Sequence, residues 1–192
     1  MTKLKNNYFI LRHGQTIYQT KKKKFIYPWP DNPPVSLTQK GKAQIKRAAK
    51  KLKKENINLI YSSDIFRTRQ TADIVAKTLG LGINFDKRLR DINLGIYHGK
   101  IGSEFYKHFP FSIKRFNQRP SKGESWNDVK RRMLRFIKKI DKKYNNKNIL
   151  IISHGDPLWL LLGAKRGVSN NVLLKKANDK YFYLNVGEFK KF

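Results

Sequence analysis

Cysteine is absent from this 192-residue chain, so neither a disulfide framework nor a thiolate metal site is available to it. Acidic side chains are scarce: 13 Asp and Glu stand against 43 Lys and Arg, a formal charge of +30. Long apolar runs are missing as well. The strongest, Trp159-Leu160-Leu161-Leu162, is far short of the roughly 20 residues that a membrane helix requires. The charged start, Met1-Thr2-Lys3-Leu4-Lys5, has no signal-like apolar core behind it. These absences predict a soluble cytoplasmic protein with no membrane partner. The length suits one domain, 1–192, with a substantial core, since most domains run about 50–250 residues.

A field of +30 attracts anions such as phosphorylated metabolites and nucleic acid. Lysine is spread along nearly the whole chain, however, and no base-reading module is recognisable, so compositional drift is the preferred reading. Nucleic acid enters only through non-specific charge.

What is present is patterned. Tyr8-Phe9-Ile10-Leu11 reads as a buried strand that stops at Arg12-His13-Gly14. The pattern returns as Ile149-Leu150-Ile151-Ile152, followed by Ser153-His154-Gly155. A third strand, Leu59-Ile60-Tyr61, also ends in polar residues, Ser62-Ser63-Asp64. Helices fall between. Thr38 caps one through about Lys54, with Ile45, Ala48, Ala49 and Leu52 on one stripe. A second begins near Asp64 and stops at Gly80. A third follows the capping-box pair Ser125 and Asp128, and a fourth starts at Asp156. Short strands are expected at Ile83-Asn84-Phe85 and near Tyr181–Val186, an extended piece at Leu89–Gly95, and an irregular helical excursion over 101–122. Strands alternating with helices mean an α/β fold with a largely parallel sheet. The segment 21–36 holds four prolines, which exclude regular structure. Its aromatics, Phe25, Tyr27 and Trp29, point to a flap packed over the site; the alternative is a surface loop with solvated lysines.

In open α/β sheets, ligands bind beyond the carboxyl ends of the strands. Three strands ending in polar residues would gather Arg12, His13, the Ser62-Ser63-Asp64 stretch and His154 at one rim. Gly14 and Gly155 would let backbone approach a ligand closely. The helix near Asp64 offers free N–H groups and a positive dipole end, with Arg67 in its first turn. Two arginines, two histidines and a helix N-terminus suit a tetrahedral oxyanion, since the guanidinium fork binds phosphate bidentately. His98 and His108 lie in polar, irregular stretches and are assigned no role; Arg69 and Arg88 are read as surface ion pairs.

At these residues the chain resembles the histidine phosphatase superfamily, in its phosphoglycerate-mutase-like branch. The matching segments, in the family's order, are Leu11–Thr16, Leu37–Gly41, Ser62–Ala72, Leu89–Gly95, Gly123-Glu124-Ser125 and Ile152–Gly155. The resemblance implies a three-layer αβα sandwich with a mostly parallel central sheet. It implies that His13 attacks phosphorus and becomes a phosphohistidine. Arg12, Arg67 and His154 would hold the phosphoryl oxygens, and a carboxyl group would protonate the leaving oxygen and later take a proton from water. No metal and no cofactor are implied. The acid is assigned to Asp91, where family members usually place Glu, one methylene longer; Glu104 and Asp156 stand in reserve, and Asp156 also reads as a helix cap before Pro157. Thr16 matches a phosphate-contacting position, and Gln19 stands where many members place a phosphate-contacting Asn. Gly14, Ser62 and Gly155 complete the expected substrate contacts. Glu124 and Ser125 match the family's Gly-Glu-Ser segment and equally well begin a helix.

The expected activity is metal-independent hydrolysis of a small phosphate monoester. A mutase of the phosphoglycerate type is the first alternative, although mutases in the family are usually longer. The others are a metal-dependent hydrolase with His13, His154 and Asp91 as ligands, and a non-catalytic phosphate or RNA binder that exploits the charge. The loop 21–36 and the segment 101–122 are expected to set the substrate.

Overall fold

The structure is a computed structural model that describes residues 3–21, 25–179 and 181–192; residues 22–24 of the lysine run in the expected flap lie outside it. Five strands form one sheet: β1 (Asn7–Arg12), β2 (Leu59–Ser62), β3 (Ile83–Phe85), β4 (Asn148–Ser153) and β5 (Phe189–Lys191), in the order β3-β2-β4-β1-β5. The first four are parallel; β5 runs antiparallel to β1 at the edge.

Period-two alternation divides the core. Phe9 and Leu11 face one side of β1 and pack with Ile45, Leu52, Ala72 and Val75 from α1 (Gln39–Leu52) and α2 (Phe66–Leu79). Tyr8 and Ile10 face the other. After the short α3 (Gly102–His108), that side is covered by α4 (Trp126–Lys143) and α5 (Gly155–Lys165), through Met133, Phe136, Leu158 and Leu161. The last helix, α6 (Asn170–Lys175), packs beside α5. The result is the three-layer αβα sandwich with a mostly parallel sheet.

Local signals set the helix starts as the sequence indicates. Thr38 accepts the Gly41 N–H at the head of α1, and Ser125 and Asp128 form a reciprocal capping box on α4, each cap worth on the order of 1 kcal/mol. The excursion over 101–122 resolves into α3 and a 3-10 turn at Ile113–Phe116. Leu89–Gly95 is loop, flanked by 3-10 turns.

One expected element is absent. Residues Tyr181–Val186 form a turn, not a strand. Asp179 organises it, taking the Tyr181 N–H on its side chain and the Phe182 and Tyr183 N–H groups on its carbonyl. The apolar content that suggested a strand is spent on filling the α4/α5 face, where Phe182 and Leu184 are buried. The edge strand comes later, at Phe189–Lys191.

Register places the site. Arg12 on β1 lies beside Ser153 on β4, and Ser62 on β2 lies beside Ile152. The chain therefore leaves the sheet at His13, His154 and Ser63 on adjacent strands, at their carboxyl ends.

Candidate active site

The two imidazoles that follow β1 and β4 meet: the rings of His13 and His154 are 5.3 Å apart, and both are buried. His13 Nδ1 lies 2.8 Å from the Gly14 carbonyl. A carbonyl only accepts, so Nδ1 carries the proton and Nε2 keeps its lone pair. Burial drives the His13 pKa well below its ordinary value, and the Arg67 and Arg12 charges push it further. The ring is held neutral, with one nitrogen ready as a nucleophile.

His154 is also held well below its ordinary pKa, by burial first and then by Arg67 and the neighbouring His13. Its Nε2 pairs with Ser63 Oγ at 3.0 Å, and its Nδ1 stands 3.6 Å from Asp91 Oδ2. That carboxylate oxygen also accepts from Arg67 Nη2 at 3.0 Å. Asp91 thus reaches the cluster despite its short side chain, because its backbone is brought in. Arg132 of α4 donates to the carbonyls of Arg88, Arg90 and Asp91, and Ser153 Oγ donates to the Leu89 carbonyl. Glu124 serves the same scaffold, pairing with Arg132 at 2.9 Å and accepting the Asn93 N–H. Burial raises the Asp91 pKa; Arg67 opposes this, and Asp156 adds to it. A carboxyl with a raised pKa, beside His154 and Arg67, is an acid suited to a leaving oxygen.

The cationic side is completed by Arg12 and Arg67. Arg12 Nη1 donates to the Leu184 carbonyl at 2.9 Å, and its guanidinium lies 5.2 Å from the Tyr183 ring. Arg12 Nε, Arg67 Nε and His154 Nδ1 are buried without a partner among the described residues. Two guanidinium donors and an imidazole nitrogen left open in one cluster suit an anion with several oxygens, since each unsatisfied buried group costs about 1–3 kcal/mol.

The sequence profile of the histidine phosphatase superfamily (branch 1) matches residues 8–180. The chain belongs to that superfamily. Phosphoserine phosphatase 1 of Hydrogenobacter thermophilus is 30% identical over 137 residues, 69% of this chain and 65% of that protein, slightly under two thirds of its length. A probable phosphoglycerate mutase, GpmB, of Photorhabdus laumondii is 30% identical over 83% of this chain and 74% of its own. Among solved structures, a mycobacterial glucosyl-3-phosphoglycerate phosphatase superimposes with a TM-score of 0.80 over 96% of this chain and 88% of that one, at 22% identity.

Not every expected contact falls at the heart of this histidine phosphatase cluster. Ser62 turns away: its hydroxyl donates to the Ser63 and Thr68 carbonyls, and it is Ser63 that meets His154. Gly14 is required by packing rather than by ligand approach, since a Cβ there would stand 2.7 Å from the Gly41 carbonyl oxygen and 2.9 Å from Ile45. Gly155 does line the cavity; a Cβ there would meet the Tyr183 hydroxyl at 2.3 Å and the Arg12 guanidinium at 3.1 Å. The α2 N-terminus is not a free anion site, because the Asp31 carboxylate accepts the Phe66 N–H. Glu104 is exposed on α3 and leaves the cluster. Asp156 stays on the cavity wall, accepting from Trp126 Nε1 at 3.1 Å and Tyr183 OH at 3.3 Å. Arg88 pairs with Asp86 as expected, but among the described residues Arg69 forms no ion pair: it donates to the Asp64 carbonyl and lies over Phe85.

The described part of the 21–36 segment packs over the cluster, and Tyr27 is its tip. Its ring covers the Arg67 guanidinium at 3.9 Å and stacks on Tyr18 at 4.3 Å. Gln19 Nε2 donates to Tyr27 OH at 2.6 Å, Tyr27 OH meets Thr16 Oγ1 at 2.7 Å, and Thr16 Oγ1 donates to Gln19 Oε1 at 3.0 Å. Thr16 and Gln19 are therefore engaged with one another and with the flap. His98 holds that flap in place, bonding the Tyr27 carbonyl through Nδ1 at 2.7 Å and stacking on Trp29. His108, by contrast, is exposed and remote from the cluster's contacts. Tyr27→Phe breaks the ring of hydroxyl and amide groups and frees Gln19 Nε2. Inhibition by inorganic phosphate is expected to tighten about 2- to 10-fold in that variant, the worth of one net hydrogen bond, measured as Ki.

Stability carries the sign of the histidine shifts. Both rings are neutral in the fold, with pKa values below the ordinary 6.5. Their contribution is complete above pH 6.5 and is lost as pH falls toward their folded values. Each imidazole can cost at most about 1.4 kcal/mol per pH unit over that window. Asp91, raised above 3.8, acts in the opposite sense as pH rises through its folded value, and is outnumbered. Thermal melts from pH 7.5 down to 5 are expected to show a falling Tm, with a shallower fall in His154→Gln.

Proposed function

We propose that this chain hydrolyses small phosphate monoesters without a metal, through a phosphohistidine on His13. The observation that carries this reading is the fixed, neutral His13, its Nδ1 bonded to Gly14 and its charge-free state enforced by burial beside Arg67 and Arg12. In the first step the Nε2 lone pair forms a bond to phosphorus as the ester P–O bond breaks, and Asp91 delivers a proton to the leaving oxygen. In the second, Asp91 as carboxylate takes a proton from water, whose oxygen displaces the imidazole and releases phosphate. Arg12, Arg67 and His154 donate to the phosphoryl oxygens as charge spreads onto them, which is the main work in phosphoryl transfer. Thr16 and Gln19 join as phosphate contacts when Tyr27 releases them, and Gly155 admits the substrate along the cavity wall.

Family membership supports phosphoryl transfer, and the relatives include both phosphatases and a probable mutase. A phosphoserine phosphatase and a probable phosphoglycerate mutase among the relatives support testing phosphorylated small acids first. The mutase reading is favoured by the GpmB resemblance; it requires a bisphosphate primer to charge the histidine. A panel of phosphate monoesters assayed with EDTA separates these. Chelator-insensitive phosphate release that needs no primer is expected. Stoichiometric dependence on a bisphosphate would transfer the assignment to the mutase, and loss of activity in EDTA would transfer it to a metal-dependent hydrolase.

A further inference from the structure

Lysine is spread through the sequence, but the fold gathers part of it along one groove. Over Gln39–Glu55, α1 and the 3-10 turn that extends it carry eight Lys and Arg against one acid, Glu55. Lys40, Gln44, Arg47 and Lys51 fall at i, i+4, i+7 and i+11, a single stripe about 16 Å long. The three cations of that stripe are exposed, and among the described residues none of them forms an ion pair.

Beside the stripe runs a groove of about 380 Å³ between α1 and the segment Asn185–Phe189. Gln44, Arg47 and Lys51 line one wall, and Asn185 and Phe189 line the other. Phe189 is only partly buried against the core beneath. Lys191, two residues further along β5, lies on the same face of the sheet: it pairs in register with Phe9, and its Nζ stands 5.9 Å from the Phe9 ring. Cations therefore flank the groove from helix and strand alike. The acid among its lining residues, Glu188, is engaged, with Lys190 Nζ at 3.4 Å and the Asn185 N–H at 2.8 Å. On the opposite face of the sheet α4 is also rich in cations, but Asp128 and Asp141 are set among them, and Asp128 pairs with both Arg119 and Arg131.

We propose that the groove between α1 and β5 binds single-stranded nucleic acid without regard to sequence, a function separate from phosphoryl transfer. The stripe of α1 and Lys191 track the phosphates, and Phe189 offers a ring on which a base stacks. A positive groove with an aromatic platform is the combination that single strands require. A duplex keeps its bases stacked on one another and leaves Phe189 without a partner. An anionic membrane fits less well, because the exposed residues of α1 (Gln39, Lys40, Lys46, Arg47, Lys50 and Lys51) include no apolar side chain to insert.

The test is fluorescence anisotropy with a labelled oligouridylate about 12 nucleotides long, read from about 50 to 200 mM KCl. Wild type is expected to bind with a log–log salt slope of about −2 to −3, the counterions of three or four phosphates. Arg47→Glu, Lys51→Glu and Lys191→Glu together should weaken binding about 10-fold or more and flatten the slope by about 2. The same charge change on the opposite face, Lys138→Glu, Lys139→Glu and Lys142→Glu, should weaken it by less than about 3-fold. Equal losses in the two triple variants would assign binding to net charge and overturn the groove. Phe189→Leu keeps an apolar side chain against the core; it should weaken binding about 5-fold or more with the slope unchanged. No loss in that variant, or a duplex of the same length bound as tightly, would overturn the single-strand assignment. A thymidylate of that length should bind as the uridylate does if the strand is read by backbone and stacking alone; selectivity above about 10-fold would overturn sequence-independent binding. Binding to phosphatidylglycerol vesicles with none to either oligonucleotide would transfer the surface to a membrane. Should the charge-reversed triple fail to melt cooperatively, Arg47→Gln with Lys51→Gln decides, and must weaken binding at least about 3-fold. Oligonucleotide binding should persist in His13→Ala, and hydrolysis of p-nitrophenyl phosphate should change by less than about 3-fold on groove reversal, so each function can fail without the other.

Discussion

His13→Ala is expected to lower kcat on p-nitrophenyl phosphate by about four orders of magnitude or more, the scale on which a covalent nucleophile fails when removed. Among the described residues no neighbour is placed to replace it. His154 Nε2 is bonded to Ser63, and its other nitrogen faces Asp91. Both imidazoles are kept neutral by burial and by the arginines, but only His13 has a proton locked on one nitrogen by a backbone carbonyl. The variant should fold, since the ring's polar bond is to its own neighbour Gly14 and the adjoining strand pairs β1–β4 and β1–β5 are untouched. Retention of more than about a hundredth of wild-type kcat, with circular dichroism unchanged, would remove the nucleophile assignment.

Asp91→Asn is expected to sort substrates by leaving group. General acid catalysis is worth about 10²- to 10⁴-fold where the leaving oxygen needs a proton. Alkyl phosphates should lose that much, and p-nitrophenyl phosphate, whose leaving group departs as a stable anion, should lose far less. The pH profile carries the same information. The acid must hold its proton for the first step, so the alkyl-phosphate rate falls as pH rises through the raised Asp91 pKa. The Asn variant should lack that limb. If Asp156 were the acid, its Asn variant would show the selective loss and Asp91→Asn would not.

Much of this site was legible because parallel strands in register turn a one-dimensional echo into a spatial one. His13 and His154 each follow an apolar strand, and the β1–β4 pairing brings Arg12 beside Ser153. The position of Arg67 in the first turn of the helix that follows β2 was readable in the same way. The orientation of Ser62 is legible too: Ile60 packs toward α1 and α2, and period two sends Ser62 to the same side, where it meets the Thr68 carbonyl. The rest depends on contacts between distant segments, which no local pattern encodes. Asp31 closing the α2 N-terminus joins residues 35 apart. Tyr27 over Arg67 and Arg115 against Trp126 are of the same kind. The final strand was misplaced because aromatic residues that fill a core from a turn look, in sequence, like those that line a strand.

One atom, Nε2 of His13, is the proposed site of phosphoryl attachment. Wild-type enzyme mixed with substrate, quenched and denatured in alkali, can be examined by phosphorus NMR and peptide mapping. The expected product is a base-stable, acid-labile phosphohistidine on the peptide containing His13, with the phosphoryl group on Nε2. Phosphate on Nδ1, a label on His154, or steady turnover with no covalent phosphate would contradict it.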